Sequence, residues 1–394
     1  MMRRGELSRW MLGGLVLSAW AGAVSRAAAD DAPAPDVATV APAGGGAGRG
    51  GRQPQAAVDG RGRIFVAFVE SGAIRCARSD DGGRTYRVAE VGRADALMVG
   101  MRRGPRIAVA GDRAVITAIG GLEREGWSGD LLAWRSADAG ATWAGPVRVN
   151  AVEGSAREGL HGMAAGPDGS VYCTWLDLRA KRTEVYGARS RDGGATWEPD
   201  RLVYRSPGGS VCECCHPSVS FGPDGDLVVM WRNQVEGARD LYLSRSTDGG
   251  STFGPAGKLG RGTWPLQACP MDGGAVAVGP AGLVETAWMR AGEVFAARPG
   301  EPEHRLGRGV QAWTAVGPGG PFAVWLASRP GRVLAQVPGR DAPLTLADRG
   351  NDPVVAAGPG GRGPVVAAWE GEAGGIFAAV LDAPPASRPA AGAR

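Results

Sequence analysis

The sequence predicts an all-β fold, a β-propeller of four-stranded antiparallel blades, and three observations predict it. The octet Ser190-Arg191-Asp192-Gly193-Gly194-Ala195-Thr196-Trp197 recurs at 79–86, 136–143 and 246–253, at spacings of 57, 54 and 56 residues. A short apolar run closed by a bulky residue recurs seven times, at 64–68, 114–119, 171–175, 227–231, 284–288, 322–325 and 365–369. The chain holds 66 Gly and 28 Pro among 394 residues with 6% aromatics, a composition suited to many short turns rather than long helices. Self-similarity at this period marks a solenoid, propeller or array.

Taken in order, residues 1–29 read as a signal peptide. Arg3, Arg4 and Arg9 precede an apolar run at 10–24, and Ala27-Ala28-Ala29 offers a small-residue cleavage site. The run falls short of the roughly 20 residues that span a bilayer, so no membrane span is expected after signal removal. A periplasmic or secreted location follows. Residues 30–50, rich in Ala, Pro and Gly, read as a flexible linker with a short strand around Val37 to Val40. The propeller is expected over 51–383 and a disordered Ala- and Pro-rich tail over 384–394. From residue 30 on, 40 basic and 39 acidic residues nearly balance, which gives no electrostatic case for nucleic acid as a partner.

Each apolar run follows another strand that ends in a Gly- or Asp-containing turn, such as Gly166-Pro167-Asp168-Gly169. Aligning those turns places Pro54, Pro105, His161, Pro217, Gly274, Ala312 and Pro353 at one equivalent position, the start of each first strand. A third strand, the octet and a fourth strand complete the blade. Seven runs imply seven blades, with six as the alternative count. Blades five to seven keep the strands without a recognisable octet. In a blade the first strand lines the central channel. Its start, and the loop between strands two and three, therefore share one face, and the octet lies on the other. The first face collects the loops 120–130, 177–184 and 232–240, where a small-molecule, glycan or protein ligand would bind.

Within the octet the Asp suits a tight turn by accepting backbone N–H groups, and Gly accepts φ > 0. The pattern S-x-D-x-G-x-T-[WYF], centred on Asp81, Asp138, Asp192 and Asp248, resembles the Asp box, or bacterial neuraminidase repeat, of sialidase-like β-propellers. The resemblance implies an arginine triad that binds a carboxylate and a Tyr nucleophile. Arg52-Gln53-Pro54 resembles the family's R-x-P element, and Arg103-Gly104-Pro105 repeats it. Arg232 and Arg239 are further substrate-binding candidates at the same mouth. No Tyr follows Tyr242, however, and the segment from Phe68 to Ser79 leaves blade one almost no loop for an acid/base Asp. Arg52 is the one family-like catalytic candidate.

The most unusual stretch is Cys212-Glu213-Cys214-Cys215-His216-Pro217, at the start of blade four, with Cys269-Pro270-Met271-Asp272 at the matching place in blade five. Adjacent blades bring the two together, and His161 begins blade three. Cys212, Cys214, Cys215, Cys269, His161, His216 and Met271 thus form a candidate cluster of soft donors. Three readings stand side by side. Sulfur and imidazole suit Cu(I), or Zn(II) where four ligands close tetrahedrally, and an uneven cysteine cluster also suits a redox disulfide. C-x-x-C-H matches covalent haem attachment, although the match is short and the mouth would have to take a bulky macrocycle. Lastly, oxidising conditions could pair the cysteines into disulfides that pin blade four to blade five. Cys76 and Cys173 fall in strand patterns and read as buried free thiols.

Overall fold

A computed structural model describes residues 34–44, 50–121 and 128–381. The signal segment 1–29, the tail 384–394 and part of the loop 120–130 lie outside the described residues. The described chain is strand and turn throughout, apart from two single-turn 3-10 segments, Pro280–Gly282 and Pro359–Gly361.

The antiparallel ladders resolve into four-stranded groups. The first comprises Arg52–Val58, Ile64–Glu70, Ala73–Ser79 and Arg87–Arg93, and the second Arg106–Ala110, Arg113–Gly120, Ser128–Ser136 and Ala144–Arg148. The third comprises Ala156–Ala165, Val171–Asp177, Glu184–Ser190 and Arg201–Tyr204. Ser218–Phe221, Leu227–Arg232, Leu241–Ser246 and Gly257–Lys258 form the fourth, and Ala275–Val278, Val284–Arg290, Glu293–Ala297 and His304–Arg308 the fifth. Val310–Gly317, Gly320–Leu326 and Gly331–Gln336 are completed by the first part of the long strand Leu344–Ala357. The second part of that strand pairs with Val365–Gly371, which pairs with Ile376–Val380. The outer strand of this last group comes from the other end of the chain: Val37–Ala41 pairs with Ile376–Val380, Val37 opposite Ala379. Residues inside the expected linker are therefore part of the propeller's last sheet.

The first strand of each group adjoins the first strand of the next, and the ring closes from Leu344–Ala357 back to Arg52–Val58. All of these first strands line one central cavity of about 240 Å³. Apolar burial follows the same division, because the core is split into separate layers between neighbouring groups rather than gathered in one centre. The second strands supply the bulk of each layer. They are buried on both faces, which explains why they read as continuous apolar runs. Trp175, Trp231, Trp325 and Trp369 close those runs and are fully buried between groups.

The four octets share one hydrogen-bond scheme. Ser79 Oγ donates to Asp81 Oδ1 (2.8 Å), and Thr85 donates through N to Oδ1 (3.0 Å) and through Oγ1 to Oδ2 (2.6 Å). Gly83 N donates back to Ser79 Oγ at 2.9 Å. Asp138, Asp192 and Asp248 repeat the scheme, each taking the Thr hydroxyl at 2.6 Å. Gly250 shows why the second glycine is needed. Its φ is 92°, and a Cβ there would stand 2.2 Å from the Tyr172 ring of the preceding group.

Candidate functional site

The segment Cys212–Cys215 is a tight turn between two anchors. Cys212 N donates to Arg232 O (2.9 Å), Cys215 N donates to Cys212 O (3.4 Å), and Arg157 Nε of the third group donates to Glu213 O (2.8 Å). The turn sends the Glu213 side chain outward, half exposed, and gathers the three thiols inward, all buried. Their sulfurs are 3.3 Å (Cys212 to Cys215), 3.8 Å (Cys212 to Cys214) and 4.0 Å (Cys214 to Cys215) apart. Met271 packs against them. All six cysteines are free thiols, and the cluster separations far exceed the roughly 2.05 Å of a disulfide.

Two guanidinium groups face this cluster. Arg239 Nη1 donates to Cys212 Sγ at 3.2 Å. Arg232, buried at the end of Leu227–Arg232, donates to the carbonyls of Asp272 (2.9 Å), Arg239 (2.7 Å) and Met289 (2.8 Å), and so ties the loop of Arg239 to the linker that carries Cys269 and Met271. Hydrogen bonding with Cys214 and Cys215, helped by the charges of Arg232 and Arg239, holds the Cys212 thiol well below its ordinary range. The shared proton raises Cys214, and burial raises Cys215. Cys269 is exposed, two residues before Met271 in the linker that packs against the cluster. Cys76 and Cys173 are buried in strands away from this site, and burial pushes Cys76 up to about 12.

The histidines do not join the sulfurs. His216 turns into the channel, where Nε2 lies 3.0 Å from Gly274 O and the ring stacks on Trp313 at 5.5 Å. His161 is held between Gly159 O (3.2 Å to Nδ1) and Thr117 Oγ1 (3.1 Å to Nε2). Burial drives His161 down to about 3 and His216 well below its usual range, so both rings are neutral. Of the expected seven-residue donor set the structure gathers Cys212, Cys214 and Cys215, with Met271 packed against them. The reason is directional: His216 lies just before the first strand Ser218–Phe221 and His161 lies within the first strand Ala156–Ala165, and both side chains turn toward the channel rather than the gap between blades.

The candidate substrate arginines do not converge either. Arg52 pairs with Glu370 (3.4 Å), Arg103 forms a buried pair with Glu158 (2.6 Å), and Arg232 is used up on carbonyls. Sequence reasoning missed a polar girdle that closes the channel on this face. Gln311 N donates to Asp272 Oδ2 (2.6 Å) and Gln311 Nε2 to Asp352 Oδ1 (2.6 Å). Gln53 Nε2 donates to Asp352 Oδ2, and Gln53 N to Glu370 Oε2 (3.2 Å). Arg102 crosses the channel over the Trp313 ring (4.9 Å) to the carbonyls of Pro353 (2.8 Å) and Gln311. The repeat alignment held a signal for it, since Gln53, Gln311 and Asp352 each immediately precede the aligned position. The central cavity lies beyond this plug, toward the turns that follow the first strands.

Residues 107–271 match the BNR repeat-like domain. Comparison with curated protein sequences finds no match. Among solved structures, an α-L-arabinanase from Penicillium chrysogenum complexed with arabinobiose is similar at 15% identity and a TM-score of 0.53, over 89% of this chain and 98% of that one. A Hadza microbial sialidase is similar at 14% identity and a TM-score of 0.51, over 87% and 68%. A protein of unknown function from Dyadobacter fermentans gives 16% and 0.50, over 88% and 98%. At these identities the likeness establishes the fold, a sialidase-like propeller. No helix among the described residues is long and apolar enough to cross a membrane.

Proposed function

We propose that this sialidase-like propeller is an exported binding protein that holds a soft metal ion on the thiolates of Cys212, Cys214 and Cys215. One observation carries the reading. Three sulfurs around an ion at about 2.3 Å stand about 3.8 Å apart when the angles are tetrahedral, and the three separations here run from 3.3 to 4.0 Å. The donor chemistry agrees with it. Thiolate and thioether sulfur select Cu(I) or Zn(II) over hard cations, and no imidazole or carboxylate joins the group among the described residues. Binding to three thiolates creates net negative charge in a buried place, which Arg232 and Arg239 offset. Protein purified anaerobically from the exporting compartment should retain about one equivalent of metal, and Cys215→Ser should lose it. A metal-free wild type that also fails to take up Cu(I) or Zn(II) in vitro would sink the reading.

A second reading, glycoside hydrolysis, is favoured by the carboxylates on the same face. Burial, with the Asp352 charge adding to it, holds the Glu370 carboxyl above its ordinary value beside the half-exposed Arg52, the environment that suits a general acid. Acidic sugars and arabinofuranosides are the substrates to try. Turnover in a fluorogenic panel that disappears in Glu370→Gln and Arg52→Ala supports it, and no turnover of any glycoside removes it.

A further inference from the structure

The buried sulfurs have a path to solvent. Cys269 is exposed, and accessibility then falls through Cys214 at 7% to Cys215 at 1% and Cys212 at 0%. The linker that bears Cys269 meets the cluster through Met271, which packs against the three buried cysteines. Inside the cluster Cys214 lies 3.8 Å from Cys212 and 4.0 Å from Cys215, and those two are 3.3 Å apart. The linker that bears Cys269 is pinned beside the cluster at its far end, where Asp272 receives Arg232 Nε on its carbonyl (2.9 Å) and Gln311 N on its carboxylate (2.6 Å). Leu266 N, at its near end, donates to Gly237 O (3.2 Å) in the loop of Arg239. A closed structural site would bury all of its ligands. Here Cys269, on the linker packed against the cluster, is an exposed residue.

We propose that Cys269 is the gateway ligand of an exchangeable Cu(I) site, so that the propeller loads and delivers copper by stepwise thiolate exchange with a soft-ligand donor or acceptor at its surface. This rests on the metal reading above and adds to it the ion, its direction of travel and a role for Cys269. Cu(I) is chosen because every candidate donor is sulfur, with the Met271 thioether packed against the thiols. In loading, Cys269 forms a Cu–S bond as one donor–Cu bond breaks. Cys214 then displaces a second donor ligand, and Cys215 and Cys212 complete the transfer while Cys269 is released. Each thiol that binds passes its proton to solvent, Cys269 takes one back when it is released, the departing donor groups can take protons up, and copper remains Cu(I) throughout, so no oxidant or reductant is consumed. Arg239, on Cys212 at 3.2 Å, marks the inner end of the path.

The test uses the full chain loaded anaerobically with one equivalent of Cu(I) and mixed with excess bicinchoninate, which colours on binding Cu(I). Transfer is followed by stopped flow and affinity by equilibrium competition. Cys269→Ser should slow transfer roughly tenfold, about 1.4 kcal/mol of barrier, with affinity nearly unchanged, and Cys269→Met, which keeps a soft sulfur, should restore part of the rate. Circular dichroism of both variants checks the fold. An unchanged rate in Cys269→Ser overturns the gateway role while the metal reading stands. A large loss of affinity in that variant overturns it too, because Cys269 would then be a permanent ligand. Tight Zn(II) binding without Cu(I) binding overturns the choice of ion, and wild type that binds neither overturns inference and metal reading together.

Discussion

The Asp boxes on one face and the polar girdle on the other both tie turns to strand ends with carboxylates, by opposite means. In a box the carboxylate is exposed and every partner lies within four residues of it, as when Thr196 Oγ1 and Thr196 N both donate to Asp192. In the girdle the groups are buried and the partners come from distant parts of the chain, as when Gln53 bonds to Asp352 and Glu370, or Arg102 to Pro353. A local motif can be repeated in each blade and lost from three of them without consequence for the rest. A girdle works only when the whole ring has closed. The first kind of carboxylate shapes a turn, and the second couples blades.

That contrast predicts unequal costs. Arg102→Ala removes a guanidinium that is 3% exposed, strands the carbonyls of Pro353 and Gln311 and opens a gap above Trp313. A loss of about 3 kcal/mol is expected, read as a drop in the denaturant midpoint. A variant within about 0.5 kcal/mol of wild type would show that the girdle does not couple the blades. Thr196→Val removes one hydroxyl from an exposed box, and the expected loss is below about 1 kcal/mol because water can replace it. Should the two variants cost the same, the distinction between local and ring-closing carboxylates fails.

Acid sharpens the comparison further, with the smallest effect per residue. Burial opposes ionisation of Asp192, but hydrogen bonds from Thr196 and Ser190 prevail and hold it at about 2. The matching bonds from Thr142 and Ser136 hold Asp138 at about 2, and those from Thr252 and Ser246 hold Asp248 at about 2. A carboxyl depressed in the folded state stabilises it above the ordinary value of 3.8, and that contribution disappears as pH falls toward 2. Glu370 has the opposite sign, since its raised carboxyl favours the fold when protonated. Replacing Thr85, Thr142, Thr196 and Thr252 together by Val should therefore flatten the fall in Tm between pH 4 and pH 2. An unaltered slope would remove the boxes as the source of acid sensitivity.

The same contrast governs what the sequence revealed. The boxes, the second strands and the meeting of the Cys269-to-Asp272 stretch, through Met271, with the Cys212–Cys215 turn were legible, because each depends on a local pattern or on counting blades. The side-chain directions at the starts of the first strands were not. Gln53, Arg102, Gln311 and Asp352 all take left-handed φ, from 48° to 67°, and the adjoining ladders of the first, sixth and seventh groups shift register at or beside that position. A bulge of this kind redirects the side chain, so period-two alternation cannot be carried through it. Arg52 and Arg103 therefore looked like a ligand clamp while their neighbours Gln53 and Arg102 do the bonding across the channel. His216 was drawn to the cysteines by proximity in sequence, yet it leaves the turn at its last residue and belongs to the channel. The strand Val37–Ala41 was visible, but its partner some 340 residues away was not.

That pairing has a practical consequence. Because Val37 lies opposite Ala379, the chain enters and leaves the described fold at the same corner of one sheet. A short peptide could join the two ends, and the backbone could be reopened at an exposed inter-blade linker with the blades in the same cyclic order. Anything fused to either end would project from that one corner, well removed in the ring from the sulfur cluster between the fourth and fifth groups.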